Sequence, residues 1–128
     1  MTARVATLGT VAADGHPHLV PIVFAFDGAN LVFAVDSKPK TSRRLARLSN
    51  IHRDPRVSVL AHNYAENWDE LWWVRVDGIA TVADAGPSFD GALAVLRSRY
   101  PQYESARIDG PAILIHIDHV NGWRAAGS

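Results

Sequence analysis

The sequence predicts a mainly β fold: a mostly antiparallel, six-stranded barrel with two inserted helices. Three observations carry this reading. Short apolar runs rich in Val, Thr and Leu alternate with turn signals, two of the turns are Asp-Gly dipeptides, and strands and helices do not alternate along the chain. Asp-Gly favours a tight hairpin turn because glycine accepts positive φ without steric cost. A parallel doubly wound sheet would need regular βα alternation, and its nucleotide-binding forms a glycine-rich loop. The chain has neither.

The first strand is expected over Val5 to Ala12, followed by the Asp14-Gly15 turn. His18 to Phe26 forms the second, and after Asp27-Gly28 the run Leu31 to Val35 forms the third. These runs are apolar at nearly every position, so both of their faces call for cover, from barrel closure or a second subunit. Pro21 stands in the middle of the second run. Proline donates no ladder hydrogen bond, so it marks an edge, a bulge or a gap whose backbone is free to face a ligand.

Thr41 or Ser42 can cap a helix with Leu45, Leu48 and Ile51 or His52 on its inward face. Asp54-Pro55 ends it, since the residue before proline avoids helical geometry. Val57 to His62 is a fourth strand, and Asp69 to Ala83 a long fifth one bent at Asp77-Gly78. Pro87 opens a second helix with Phe89, Leu93, Leu96 and Tyr100 on one face, and Pro101 closes it. Ala112 to Ile117 is the sixth strand, followed by a tail from His119 to Arg124. No repeat or linker divides the chain, so residues 1–128 read as one domain.

Composition narrows the function. Hydrophobic residues make up 48% and charged residues 20%, which excludes a disordered chain. No apolar run has the length to span a bilayer, and no signal sequence opens the chain, so a cytoplasmic location is expected. With no cysteine there is no disulfide framework, thiolate metal site or cysteine nucleophile. The formal net charge of 0 argues against a nucleic-acid partner. Yet seven of the 13 cations crowd between Asp36 and Arg56: Lys38, Lys40, Arg43, Arg44, Arg47, Arg53 and Arg56. A compact cationic patch on a neutral protein suits a small anionic ligand.

The most informative stretch is Ser37 to Arg44, which leaves a strand and enters a helix. Free backbone N–H groups and the positive helix end gather there beside Lys38, Lys40, Thr41 and Arg44, making a site for phosphate or carboxylates. Trp68, Trp72 and Trp73 form a second cluster. Adjacent strand residues face opposite sides, so one of Trp72 and Trp73 enters a core while the other meets a ligand, a partner or solvent. His62 and Tyr64 precede them and are placed to line the same cavity. The histidine pairs His16/His18 and His116/His119 do not make a convergent metal site, and no metal is expected. Neither a nucleophile elbow nor a paired-carboxylate constellation occurs, which leaves the chemistry to a cofactor.

Several runs together resemble the pyridoxamine-phosphate-oxidase-like split-barrel superfamily: Ala6 to Thr10, Asp14 to Pro21, Leu31 to Val35, Lys40-Thr41 with Arg43-Arg44-Leu45, and Arg53 to Val59. Within it, Leu71 to Gly78 and the ending Gly122-Trp123-Arg124-Ala125 resemble the actinobacterial oxidoreductases that use the deazaflavin coenzyme F-420. The resemblance implies a six-stranded, FMN-binding-like split β-barrel that forms a homodimer with two cofactor sites at the subunit interface. It implies that the cofactor phosphate meets Ser37, Lys38, Lys40, Thr41 and Arg44. The ring system would lie along Val20, Pro21 and Ile22, with Tyr64, Trp68 and Trp73 on the substrate side. Only Met1, Thr2, Ala3 and Arg4 precede the first strand, where the resemblance implies a helix.

The expected function is F-420-dependent hydride transfer to a small organic acceptor, with Tyr64 or His62 as weak candidates for the proton donor. The alternatives are an FMN-dependent oxidase or reductase, and a non-catalytic carrier of a flavin, deazaflavin or haem.

Overall fold

A computed structural model of the chain describes residues 5–34, 41–100 and 111–125, with the side chains of residues 41–45 outside the description. Seven strands form one antiparallel sheet. They are β1 (Val5–Val11), β2 (Pro17–Val23), β3 (Ala25–Phe26), β4 (Asn30–Ala34), β5 (Arg56–Asn63), β6 (Trp72–Ala83) and β7 (Ala112–Arg124). Helix α1 (Thr41–Arg53) lies between β4 and β5, and α2 (Pro87–Arg99) between β6 and β7. The sheet order is β2-β1-β5-β6-β7-β4-β3. Its two edge strands, β2 and β3, are separated in sequence by Phe24 alone, so the sheet curls back on itself.

The count of six strands is corrected to seven. The run expected from His18 to Phe26 splits at Phe24, because its first part pairs with β1 and its second with β4 at the other end of the sheet. Phe24 itself has no ladder partner, since pairing with β1 ends at Val23 and pairing with β4 begins at Ala25. The last strand is also longer than expected: the tail through Arg124 pairs with β6 from Trp72 onward. The long fifth strand starts at Trp72 rather than Asp69, because Trp68–Glu70 forms a single 3-10 turn whose backbone is bonded locally. Both Asp-Gly turns are present, with Gly15 at φ 88° and Gly28 at φ 98°.

Alternation along the strands divides the apolar residues between two cores. Ala6, Leu8, Ile22, Phe24, Leu31, Phe33, Val57, Val59, Ile113 and Ile115 fill the inside of the curl, with Ile51 of α1 among them. Helix α2 covers the other side of β3, β4 and β7 through Ala92, Leu96 and Tyr100, which pack on Ala25, Val32 and Ala112. Strand β4 is therefore buried on both faces, as its unbroken apolar run requires. The Tyr100 hydroxyl donates to the Phe24 carbonyl, which satisfies a polar group at the break between β2 and β3. Leu8, Val32, Phe33, Leu96, Ile113 and Ile115 are each less than 2% exposed. Burial of side chains of this size contributes about 1.5–3 kcal/mol apiece.

Helix α1 is tied to β1 by a buried polar network. Asn50 Nδ2 donates to Thr10 Oγ1 at 3.1 Å, and Arg53 Nη2 donates to Asn50 Oδ1 at 2.8 Å and to the Val11 carbonyl at 3.2 Å. A bulge at Asp77/Gly78 shifts the register of β6 against β7. Gly78 is obligatory there, since a Cβ would overlap the His116 carbonyl oxygen.

Candidate functional site

The outward face of β2-β1-β5-β6-β7 can be read row by row from the registers. One row runs Leu19, Gly9, Ser58, Asp77, His119; the next runs Pro21, Thr7, Leu60, Arg75, Asn121. Towards the next edge stand Val23 and Val5 on one side, and His62, Trp73 and Trp123 on the other. Among the described residues neither helix packs over this face. Val5, Leu19, Val23, Leu60, Ile79 and Trp123 remain exposed on it, Leu19 at 67%. Contiguous exposed apolar surface of this kind marks a contact site.

Two hollows lie on this part of the sheet. The larger, about 610 Å³, has a floor without side chains at Gly9 and Gly78, apolar walls from Pro17, Leu19 and Ile79, and a polar strip of Ser58 and Asp77. Ser58 Oγ donates to Asp77 Oδ1 at 2.6 Å, and Arg75 Nε stands 3.2 Å from the same oxygen as an ion pair. The smaller hollow, about 470 Å³, is lined by Trp72, Trp73, Val74, Gly122, Trp123 and Arg124.

Of the expected substrate-side residues Trp73 lines this second hollow, and Tyr64 and Trp68 are not among its lining residues. Trp73 is half-buried and stands between His62 and Trp123 in the ladder, while Trp72 packs against the inner core. The two adjacent tryptophans thus divide between core and surface. Tyr64 meets His62 edge-on, with ring centroids 5.5 Å apart and planes at 75°. Trp68 sits on the 3-10 turn at 77% exposure, so its ring is available to another molecule.

The three β2 positions separate. Pro21 is exposed on the outward face opposite Thr7, where its missing N–H leaves that backbone without a ladder donor. Val20 packs against the inner core and Ile22 is buried within it, so neither side chain faces outward with Pro21. Ser37, Lys38 and Lys40 lie outside the described residues. Thr41 and Arg44 belong to the first turns of α1, and their side chains are outside the description.

One residue of the cationic segment was not singled out by sequence reasoning. Arg47, on the second turn of α1, is half-buried, and its Nε is shielded from solvent with no acceptor among the described residues. Burial lowers its pKa from the ordinary arginine value. An unpaired cation held at a partly dry site fits a ligand phosphate or carboxylate. The signal in the sequence was its spacing: Arg47 is three residues before Asn50 and four before Ile51, which share the inward side of the helix. His18 lies opposite Thr10 on the same side of the sheet and also carries a shielded, unpaired Nδ1. Trp123 was missed because the last strand was ended at Ile117.

At the other end of α1, Asp54 accepts from Arg56 Nε at 2.9 Å and Nη2 at 2.7 Å. This pairing holds the Asp54 carboxyl at about 2, well below the usual carboxylate range. Arg56 is therefore already engaged, unlike Arg47. Among the described residues no group of three or more His, Asp or Glu converges on a metal position. Nor is any described helix long and apolar enough to cross a membrane.

Comparison with known proteins agrees with this architecture. No characterised protein matches by sequence. Conserved hypothetical protein Rv2991 from Mycobacterium tuberculosis superposes with a TM-score of 0.76 at 23% identity, over 96% of this chain and 78% of that one. A heme binding protein from Mycobacterium smegmatis gives 0.74 at 20% identity over 99% of this chain, which spans 51% of its length. A FAD-binding protein from Mesorhizobium loti gives 0.65 at 25% identity, over 94% of this chain and 83% of that one. The profile of the pyridoxamine 5'-phosphate oxidase family matches residues 2–124, and the chain belongs to that family.

Proposed function

We propose that this protein is a deazaflavin (coenzyme F-420)-dependent oxidoreductase that acts in the cytoplasm as a homodimer. The observation that carries the reading is Arg47: a half-buried guanidinium with no acceptor on its Nε, one turn beyond the cation-rich entry to α1. That cationic segment fits the phosphate and the oligoglutamate tail of the coenzyme, with Lys38, Lys40, Thr41 and Arg44 as further contacts. The uncovered outward face, with Leu19, Val5 and Trp123 exposed, supports the homodimer.

When bound, the reduced deazaflavin supplies a hydride from its C5 to an electron-poor acceptor. The chain does the rest. Arg47 and the helix entry hold the anionic tail, and the exposed backbone at Pro21 lets a flat ring approach the sheet closely. Trp73, Trp68 and Tyr64 border the acceptor and exclude water from it. His62 or Tyr64, in edge-on contact at the rim, delivers the proton that completes reduction.

FMN carries a phosphate too, so an FMN-dependent oxidase or reductase is the second reading. It is favoured by the likeness, at 25% identity, to the Mesorhizobium loti FAD-binding protein. A non-catalytic carrier of a flavin, deazaflavin or haem is the third, in line with the fold shared with the Mycobacterium smegmatis heme binding protein. Titration of tryptophan fluorescence with F-420 and, separately, with FMN decides between the cofactors. Quenching by F-420 alone supports the leading reading, and preference for FMN overturns it in favour of the second. Turnover with any acceptor excludes carriage as the sole role.

A further inference from the structure

A row of rings crosses β5, β6 and β7 where β6 begins. His62, Trp73 and Trp123 stand opposite one another on these three adjacent strands. Side chains at matched positions share a face, so the three rings lie in one line on the outward side. Two strand spacings make that line about 10 Å across, the width of two or three fused aromatic rings. Trp123 is 51% exposed and Trp73 is half-buried. Neither indole stacks on another ring among the described residues, which leaves ring faces free for a flat ligand.

The frame under the row is fixed. Strand β7 stays paired with β6 as far as Arg124, and the Ala125 N–H then donates to the Leu71 carbonyl at 2.9 Å. Trp123 and Arg124 are therefore held by a ladder rather than by a loose tail, and little order has to be gained on binding. The hollow they line is about 470 Å³, within the size range of small-molecule sites, and Gly122 gives it a wall without a side chain.

Charge narrows the ligand. Arg124 is the one charged residue of the lining, and no carboxylate faces it there. Among the described residues Arg124 has no ion-pair partner, and Asp69 and Glu70 of the 3-10 turn do not line the hollow. A guanidinium pairs with a carboxylate through two parallel hydrogen bonds, while an indole face takes a flat ring.

We infer that the hollow at Trp73, Trp123 and Arg124 binds a fused-ring aromatic carboxylate, its rings on the indoles and its carboxylate on Arg124. This names the class of acceptor, and that role rests on the oxidoreductase reading above; the binding itself does not. The rest of the outward face, with Val5, Leu19 and Leu60 exposed, is left to the second copy of the chain.

Calorimetric titration of the full chain with 2-naphthoate and with the neutral 2-naphthamide tests it. The wild type is expected to bind the acid about tenfold more tightly than the amide. Arg124→Gln should abolish that preference, weakening naphthoate about tenfold and leaving the amide unchanged. Trp123→Leu should weaken both about three- to tenfold, and Trp123→Phe, which keeps a ring, should restore most of the affinity. Absence of naphthoate binding, equal binding of acid and amide, or naphthoate affinity unchanged in Arg124→Gln and Trp123→Leu overturns the inference. So does a Trp123→Leu chain that light scattering finds monomeric beside a dimeric wild type, because the second copy would then occupy the row. Separate titration with F-420 keeps the two readings apart. Naphthoate bound by a protein that takes no F-420 supports the site and overturns its role for an acceptor. F-420 bound without naphthoate overturns the inference and leaves the oxidoreductase reading standing.

Discussion

Replacing Arg47 by methionine should make the free protein more stable and its ligand binding weaker. In the free chain the guanidinium is half-buried, its Nε has no acceptor among the described residues, and burial already pulls its pKa down. Methionine keeps the aliphatic stem against the neighbouring apolar surface and removes the charge. Exchange of a buried ionic group for an apolar one of similar volume stabilises by about 1–4 kcal/mol. Because Arg47 is only partly buried, screening reduces this to roughly 0.5–1 kcal/mol. For a chain of this size that raises Tm by about 2–5 °C. The same change removes a charge-assisted hydrogen bond to the ligand, about 1.5–3 kcal/mol, and weakens F-420 or FMN about 10- to 150-fold. Thermal unfolding followed by circular dichroism and fluorescence titration read the two effects separately. A variant with lower Tm and unchanged affinity would refute the reasoning, because Arg47 would then be a structural cation with a counter-charge in its own chain.

Three further outcomes follow from the fold. Gly78→Ala should cost on the order of 3–4 kcal/mol in urea unfolding, since its Cβ overlaps the His116 carbonyl, whereas Gly91→Ala on α2, with no atom in the way, should gain about 0.5–1 kcal/mol. Asn50→Ala should cost about 2–3 kcal/mol in the same assay, because Thr10 Oγ1 and the Arg53 guanidinium lose a buried partner; a change below 0.5 kcal/mol would mean that water replaces it. Asp54 has a folded pKa depressed from 3.8 to about 2, so its contribution is complete above the unfolded value and is lost as pH falls from about 4 to 2. Asp54→Asn should therefore flatten that part of the acid unfolding profile, and an unchanged profile would place the acid sensitivity elsewhere.

Local chemistry determined much of this protein. Asp14-Gly15 and Asp27-Gly28 fixed two turns because only glycine takes their backbone angles without cost. Asp54-Pro55 and Pro87 set the end of α1 and the start of α2, since proline constrains φ and removes a donor. The inward face of α2 followed from the spacing of Leu93, Leu96 and Tyr100, all buried. The crowding of cations at the entry to α1 was equally plain from order alone.

Tertiary structure decided the rest, because it depends on which strand meets which. Nothing in the run from His18 to Phe26 announces that its two parts have different partners; the break at Phe24 falls where pairing with β1 ends and pairing with β4, at the other end of the sheet order, begins. The tail from Ile117 to Arg124 lacks a strong strand pattern and becomes β7 through its ladder with β6, which is what places Trp123 beside Trp73. Of the helix cations, Arg47 is partly enclosed with an unpaired Nε while Arg56 is matched by Asp54, a distinction set by the packing of α1 and the turn that follows it. Sequence fixes torsional preference and charge locally; pairing and burial are properties of surfaces brought together from distant parts of the chain.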